Sequence, residues 1–340
     1  MDSITHIVAG AAIGEAYLGH RTGYKGALWG AAICTLPDLD VLLNPILDSA
    51  NQLVLHRGFT HSLFFAFAAS PILGWLIYRW HKTEEPGWTA WAWLSFWSLL
   101  SHVGIDLTTS YGTQILEPFS RATLTTDTMF IIDPFFTFPL IAGLVITLFQ
   151  RRSNWLQPWP NRIGLTLGAL YLIWGFGVKA HVDRVFEDSF HDQYGSFERV
   201  KTMPGPFSTV MWKGYVERND SLYASTYSLF DKDEHLQFQG LAKQSHLLDP
   251  FLGDRPVDVL KWFTMGYYMM EEREDGLYLH DIRFGRSDFW LSEQGNYIWS
   301  NRLLFNEDST QVVDFDRAIP ILNANIDSRR ALWERFWGEQ

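Results

Sequence analysis

The sequence predicts an α-helical membrane domain over residues 1–180, followed by an acidic, β-rich extramembrane domain over residues 181–340 that closes with a helix. Three observations lead there. Long apolar runs are confined to the first half. Residues 1–180 hold 10 Lys and Arg against 11 Asp and Glu, which leaves 17 against 27 for the remainder of a chain of net charge -11. Apolar–polar alternation, the period of a half-buried strand, begins only after Ala180. The mean hydropathy of -0.06 averages over these unlike halves.

About six apolar helices are expected in the first domain. Ile7–Gly19 and Ala27–Leu36 are short and rich in Gly and Ala, a composition that lets helices approach closely. Ser62–Trp80, Trp88–Ile105, Met129–Phe149 and Ile163–Lys179 approach the roughly 20 residues that a bilayer core requires, so four spans are expected. Trp88, Trp91, Trp93 and Trp97 in one run, with Trp155 and Trp159 in a loop, fit the membrane habit of placing indoles at the interface. The basic residues Arg21 and Lys25, then Arg79 and Lys82 with His81, then Arg151, Arg152 and Arg162 occupy alternate loops. By the positive-inside rule those loops are cytoplasmic, and residues 181–340 lie outside. The N-terminus has neither a basic n-region nor a small-residue cleavage site, so Asp2 and His6 are expected to survive in the mature chain.

Beyond Ala180, Ser208–Val216, Leu222–Phe230, Leu236–Leu241, Leu260–Met269 and Leu277–Arg283 alternate in polarity and are rich in aromatic and β-branched residues. Turn formers separate them at Arg218-Asn219-Asp220, Asp231-Lys232-Asp233 and Glu274-Asp275-Gly276, which predicts an antiparallel sheet. Ala318–Trp337 is expected to include the closing helix. An acidic domain of this kind is a poor partner for nucleic acid.

Imidazoles and carboxylates gather at the ends of the apolar runs opposite the basic loops. They are His6, Asp38 and Asp40 after Pro37, His56 and His61, and His102 and Asp106. Polar groups set against membrane-type sequence are costly and usually have partners. His102 and Asp106 are four apart and share a helix face. Gly58 puts His56 on a loop and leaves His61 to open the next helix. His and Asp are ligands for a divalent ion such as zinc, and seven candidates exceed what one tetrahedral ion needs, so one to two ions or more are expected. Arg57 reads either as a neutraliser of these carboxylates or as a phosphate contact. Asp127 and Asp133 read as a cap and a turn residue before Pro134, and Cys34 as a buried thiol. His20 and His81 read as interfacial, and His181, His191, His235, His246 and His280 as surface residues.

Met1-Asp2-Ser3-Ile4-Thr5-His6, Pro37-Asp38-Leu39-Asp40, His56-Arg57-Gly58-Phe59-Thr60-His61-Ser62 and His102-Val103-Gly104-Ile105-Asp106 together resemble the bacterial membrane-bound metal-dependent hydrolases of the YdjM/YbcI type. The similarity continues through Tyr111-Gly112-Thr113 and Met203-Pro204-Gly205-Pro206-Phe207. That family is distantly similar to zinc-dependent phospholipase C and the single-strand nucleases. The resemblance implies a multi-pass protein of the bacterial inner membrane that hydrolyses a phosphoester, phospholipids included, at the extracytoplasmic surface. His6, Asp38, Asp40, His56, His61, His102 and Asp106 would then be metal ligands. Asp38 or Asp40 would bridge metals or take a proton from water, and Arg57 would offset phosphate charge. The alternative is a membrane protein whose metal site is structural or serves ion transport, without hydrolysis. Transporters place such groups near mid-membrane, whereas these lie at helix ends.

Overall fold

The computed structural model describes residues 1–82, 85–152, 158–289, 295–318 and 326–338. Trp155, expected at an interface, lies outside them. The chain divides into two compact units. The first comprises Met1–Leu43, Leu55–Phe176 and Pro206–Ser208; the second comprises Asn44–Val54, Gly177–Gly205 and Thr209–Gln340.

In the first unit, α1 (Ser3–Thr22) and α2 (Tyr24–Thr35) form a tight antiparallel pair. Glycines make that possible: a Cβ on Gly14 would lie 2.0 Å from the Gly26 carbonyl oxygen, and one on Gly10 2.3 Å from that of Gly30. After α2, Pro37 turns the chain into a 3-10 segment, Pro37–Ile46, bent from it by 42°. Short α3 (Ser49–Leu55), which belongs but for Leu55 to the second unit, and a 3-10 turn, Phe59–His61, precede α4 (Leu63–His81), whose N-cap Ser62 accepts from the Phe65 amide. Then come α5 (Trp88–Leu107), α6 (Pro134–Arg152) and α7 (Trp159–Tyr194). Leu18, Ile33, Ala66, Trp91, Leu94 and Leu99 form a core shared by α1, α2, α4 and α5.

Among the described residues, two helices are long and apolar enough to cross a membrane, α4 and α7; the bent pair Tyr24–Thr35 and Pro37–Ile46 makes a third if it is one span. The other two expected spans do not meet that measure, for readable reasons. α5 carries Ser95, Ser98, His102 and Asp106 on a face that is buried among its neighbours. The apolar part of α6 is the shorter stretch Pro134–Gln150.

The second unit contains two antiparallel four-stranded sheets. β1 (Arg199–Pro204), β2 (Met211–Arg218), β3 (Ser221–Ser228) and β4 (Gln239–Ala242) pair in sequence order. So do β5 (Tyr268–Arg273), β6 (Gly276–Asp281), β7 (Ser300–Phe305) and β8 (Val312–Ala318). Asn219 and Asp220, at φ 49 and 54, make the two-residue hairpin turn that suits the strand twist. Val182, Val185, Phe186 and Phe190, spaced along one face of α7, pack on Trp212, Val216 and Tyr227. The expected strand Leu260–Met269 begins inside a helix and continues through a turn: α8 spans Arg255–Phe263, with Pro256 in its first turn and Val257, Leu260 and Phe263 buried at helical spacing. Only its end joins β5. The closing helix is α9 (Ile326–Phe336).

Candidate metal centre

Each element delivers its candidate ligand for a local reason. Asp2 caps α1 by accepting from the Thr5 amide at 3.0 Å, which sets His6 one turn inside the helix. Pro37 ends α2 and starts the segment whose first turn holds Asp38 and Asp40. Arg57, at φ 56, reverses the chain so that His56 and His61 approach the same place. His102 and Asp106 are one turn apart on the buried face of α5.

Four atoms converge. His61 Nε2 is 3.4 Å from Asp38 Oδ1 and 3.5 Å from Asp106 Oδ2, and His102 Nε2 is 3.6 and 3.5 Å from the same two oxygens. Donors around a tetrahedral zinc with bonds of about 2.0–2.2 Å stand about 3.3–3.6 Å apart, so these spacings suit such an ion. His102 Nε2 and Asp106 Oδ2 are buried and have no hydrogen-bond partner among the described residues. Burial holds the His61 imidazole below its ordinary range, which favours the neutral form that can ligate.

The other predicted residues surround this set. His6 Nε2 lies 3.2 Å from Asp106 Oδ1, and its ring stacks on His102 with centroids 3.9 Å apart. Asp40 accepts from the Arg57 amide at 3.3 Å and pairs with His56 Nδ1 at 3.0 Å, and its Oδ2 is 3.7 Å from His61 Nδ1. Arg57 is buried. Its guanidinium lies 3.1 Å from Asp106 Oδ1, donates to Thr109 Oγ1 at 2.8 Å and sits 4.7 Å over the Tyr111 ring. Of the two readings of Arg57, this geometry favours the neutraliser. The α-amino group of Met1 also donates to Asp106. His56 is the most open imidazole of the cluster, with a quarter of its side chain accessible (26%).

Several partners escaped the sequence reading. Thr109 and Tyr111 follow Asp106 closely, but nothing in their spacing marks them as partners of Arg57. Asp133 accepts from the Phe135 amide at 3.0 Å and, across to α7, from Tyr171 Oη at 2.7 Å, and Asp127 accepts from Thr125 Oγ1 at 3.2 Å. His81, read as interfacial, ends α4, where it accepts from Trp29 Nε1 at 2.7 Å and stacks on Trp91. One histidine needs correction. His280, expected at the surface, is fully buried, because β7 and Tyr297 cover it; it bonds Ser300 Oγ and Glu271 Oε2, each at 2.8 Å.

The surface around the centre is apolar. Leu39, Leu42 and Leu43 project outward from the segment that points Asp40 inward, and Leu42 is 71% exposed. Phe59, Phe64 and Phe119 form a chain of ring contacts, with Phe119 80% exposed.

Comparison with known proteins places the region in a family. The "Uncharacterized protein YfhP" of Bacillus subtilis is 32% identical over 156 residues, 43% of this chain and 46% of that protein, so the match spans just under half of that relative's length. No solved structure matches. The YdjM inner membrane protein family matches residues 1–182, the stretch that contains every residue of the centre, and the chain belongs to that family.

Proposed function

We propose that this protein is a membrane-bound metal-dependent hydrolase that cleaves a phosphoester at the membrane surface. The observation that supports this reading is the convergence of Asp38, His61, His102 and Asp106 at tetrahedral spacing. A divalent ion in that set, zinc by the nitrogen and oxygen donors, supplies the positive charge that acidifies water and offsets charge on a phosphoryl oxygen. Asp40 is the group for proton transfer: His56 and the Arg57 amide fix its carboxylate, and His56 connects it to solvent. Arg57, committed to Asp106 and Thr109, positions that ligand and balances its charge. The apolar rim around Phe59, Phe64 and Phe119 suits a substrate presented in lipid, a phospholipid headgroup above all.

The orientation belongs to the same proposal. Counting α5 and α6 as spans gives four crossings, with Lys82 cytoplasmic and the centre and residues 181–340 extracytoplasmic. A structural metal site is the second reading, favoured by the complete burial of His6, His61, His102 and Asp106. Asp40→Asn separates the two. The full chain in detergent is tested for metal content, melting and hydrolysis of a phosphodiester and phospholipid panel, with exposed His235→Ala as control. The hydrolase reading expects metal and melting to hold while the rate falls by about 10²–10⁴-fold. A wild type that hydrolyses nothing in the panel, or an Asp40→Asn that merely unfolds, gives the decision to the structural site.

A further inference from the structure

We propose that His6, Cys34 and His102 form a second cation site, sulfur-containing and sharing His102 with the Asp38–His61–His102–Asp106 set. A cysteine in an apolar helix is ordinarily a small inert filler. This one has unusual company: one donor atom from each of His6, Cys34 and His102 lies within 4.8 Å of the other two. All three side chains are fully buried. Nδ1 of His6 and both ring nitrogens of His102 have no hydrogen-bond partner among the described residues. Buried imidazole nitrogens without partners are costly to keep, and a cation removes that cost by taking their lone pairs.

The backbone is shaped to bring the thiol there. A Cβ on Gly10 would lie 2.4 Å from Cys34 Cβ, so only glycine at that position lets α2 press Cys34 against α1, one turn from His6. The thiol's contact with Ser101 Oγ is long, 3.7 Å. A neutral imidazole has one lone pair and one N–H, so His102 serves both sets at once only as an imidazolate, with its second ring proton lost. Asp38, His61 and Asp106 do not take part in the sulfur set.

The donor chemistry selects the ion. Thiolate with two imidazoles suits borderline and soft cations such as Zn²⁺ or Cu⁺, and disfavours Mg²⁺ and Ca²⁺, which prefer oxygen. On binding, the Cys34 S–H proton and, where His102 is shared, its remaining ring N–H proton leave to solvent, and the freed sulfur and nitrogen lone pairs go to the ions.

Cobalt(II) is the probe. The full chain, stripped of metal in detergent and reloaded, should show visible d–d bands together with a near-ultraviolet thiolate-to-cobalt charge-transfer band. Cys34→Ala and Cys34→Ser should both abolish the charge-transfer band and one equivalent of bound cobalt, while the d–d bands of the remaining ion persist. Wild-type protein with d–d bands alone overturns the sulfur site and leaves the His/Asp centre standing, and so does a charge-transfer band that survives in Cys34→Ala. Wild-type protein that binds no cobalt overturns both. The wild-type spectrum decides even where a variant fails to fold.

Discussion

Gly14→Ala offers the sharpest test of how the bundle builds the centre, because it touches no ligand. A Cβ at position 14 would lie 2.0 Å from the Gly26 carbonyl oxygen, 2.7 Å from its carbon and 3.2 Å from Ala27 Cα. All three are backbone atoms and none can rotate away. Ordinary contact needs about 3.5 Å, so α2 must withdraw from α1 by on the order of 1 Å. Overpacking of this kind costs about 1–3 kcal/mol, which should lower the melting temperature. The larger effect should be on metal. α2 leads through Leu36 and Pro37 to Asp38, whose oxygen is held 3.4 and 3.6 Å from His61 and His102. Metal sites tolerate about 0.2 Å, so a shift of on the order of 1 Å should remove that donor. The control is Gly104→Ala, two residues from both His102 and Asp106, where a Cβ meets nothing within 4 Å. It should keep full metal and gain up to about 1 kcal/mol from helix propensity. Metal content by elemental analysis and melting in detergent, for both variants, make the assay. A Gly14→Ala protein with wild-type metal content, or a Gly104→Ala protein without it, would refute the geometry.

His61→Ala and Asp106→Ala should each deplete bound metal on elemental analysis, and full content in both would mean that the ligands are others. Arg57→Met should leave Asp106 short of a buried partner and cost about 3–5 kcal/mol in thermal or denaturant melts of apo-protein; an unchanged melt would show that the pair is dispensable. In the second unit, the hydrogen bond from His280, with that from Arg273, holds the Glu271 carboxyl down to about 2 from its ordinary 4.5. The stability this lends is present above about pH 4.5 and is lost as pH falls towards 2, so Glu271→Gln should flatten the fall of melting temperature in that window. Equal slopes in the two proteins would dismiss it. Reporter fusions in the loop after Lys82 and at the C-terminus should read opposite sides of the membrane; matching readings would sink the proposed orientation.

What the sequence disclosed was whatever short-range pattern controls. Asp38, His61, His102 and Asp106 stood out because each interrupts or ends an apolar run, and polarity in such a place needs a partner. The turns at Asn219-Asp220 and Asp275-Gly276 were legible because few residues accept positive φ. α8 was misread because Leu260–Met269 begins inside it; the period Val257, Leu260, Phe263 and the early Pro256 were the stronger signals. Length alone did not show that α5 and α6 fall short of the measure that α4 and α7 meet, because it registers neither the buried polar face of α5 nor the short apolar stretch of α6. His280 looked like a surface residue because its cover comes from β7, paired across twenty residues of sequence, and no local pattern reveals such a lid. Arg57 was ambiguous for the same reason: its partners Asp106 and Thr109 lie some fifty residues away.

Under the proposed lipid-substrate reading, the exposed leucines and phenylalanines around the centre set the variable that would govern its encounters. Leu39 and Leu42 project from the segment that carries Asp38 and Asp40, with Phe59, Phe64 and Phe119 on other segments of the same unit. A molecule anchored by its own acyl chains reaches them by lateral diffusion within one leaflet. Its effective concentration is then a mole fraction in that leaflet, whatever its molarity in the suspension. Adding inert lipid slows such an encounter by surface dilution, while adding buffer leaves it untouched.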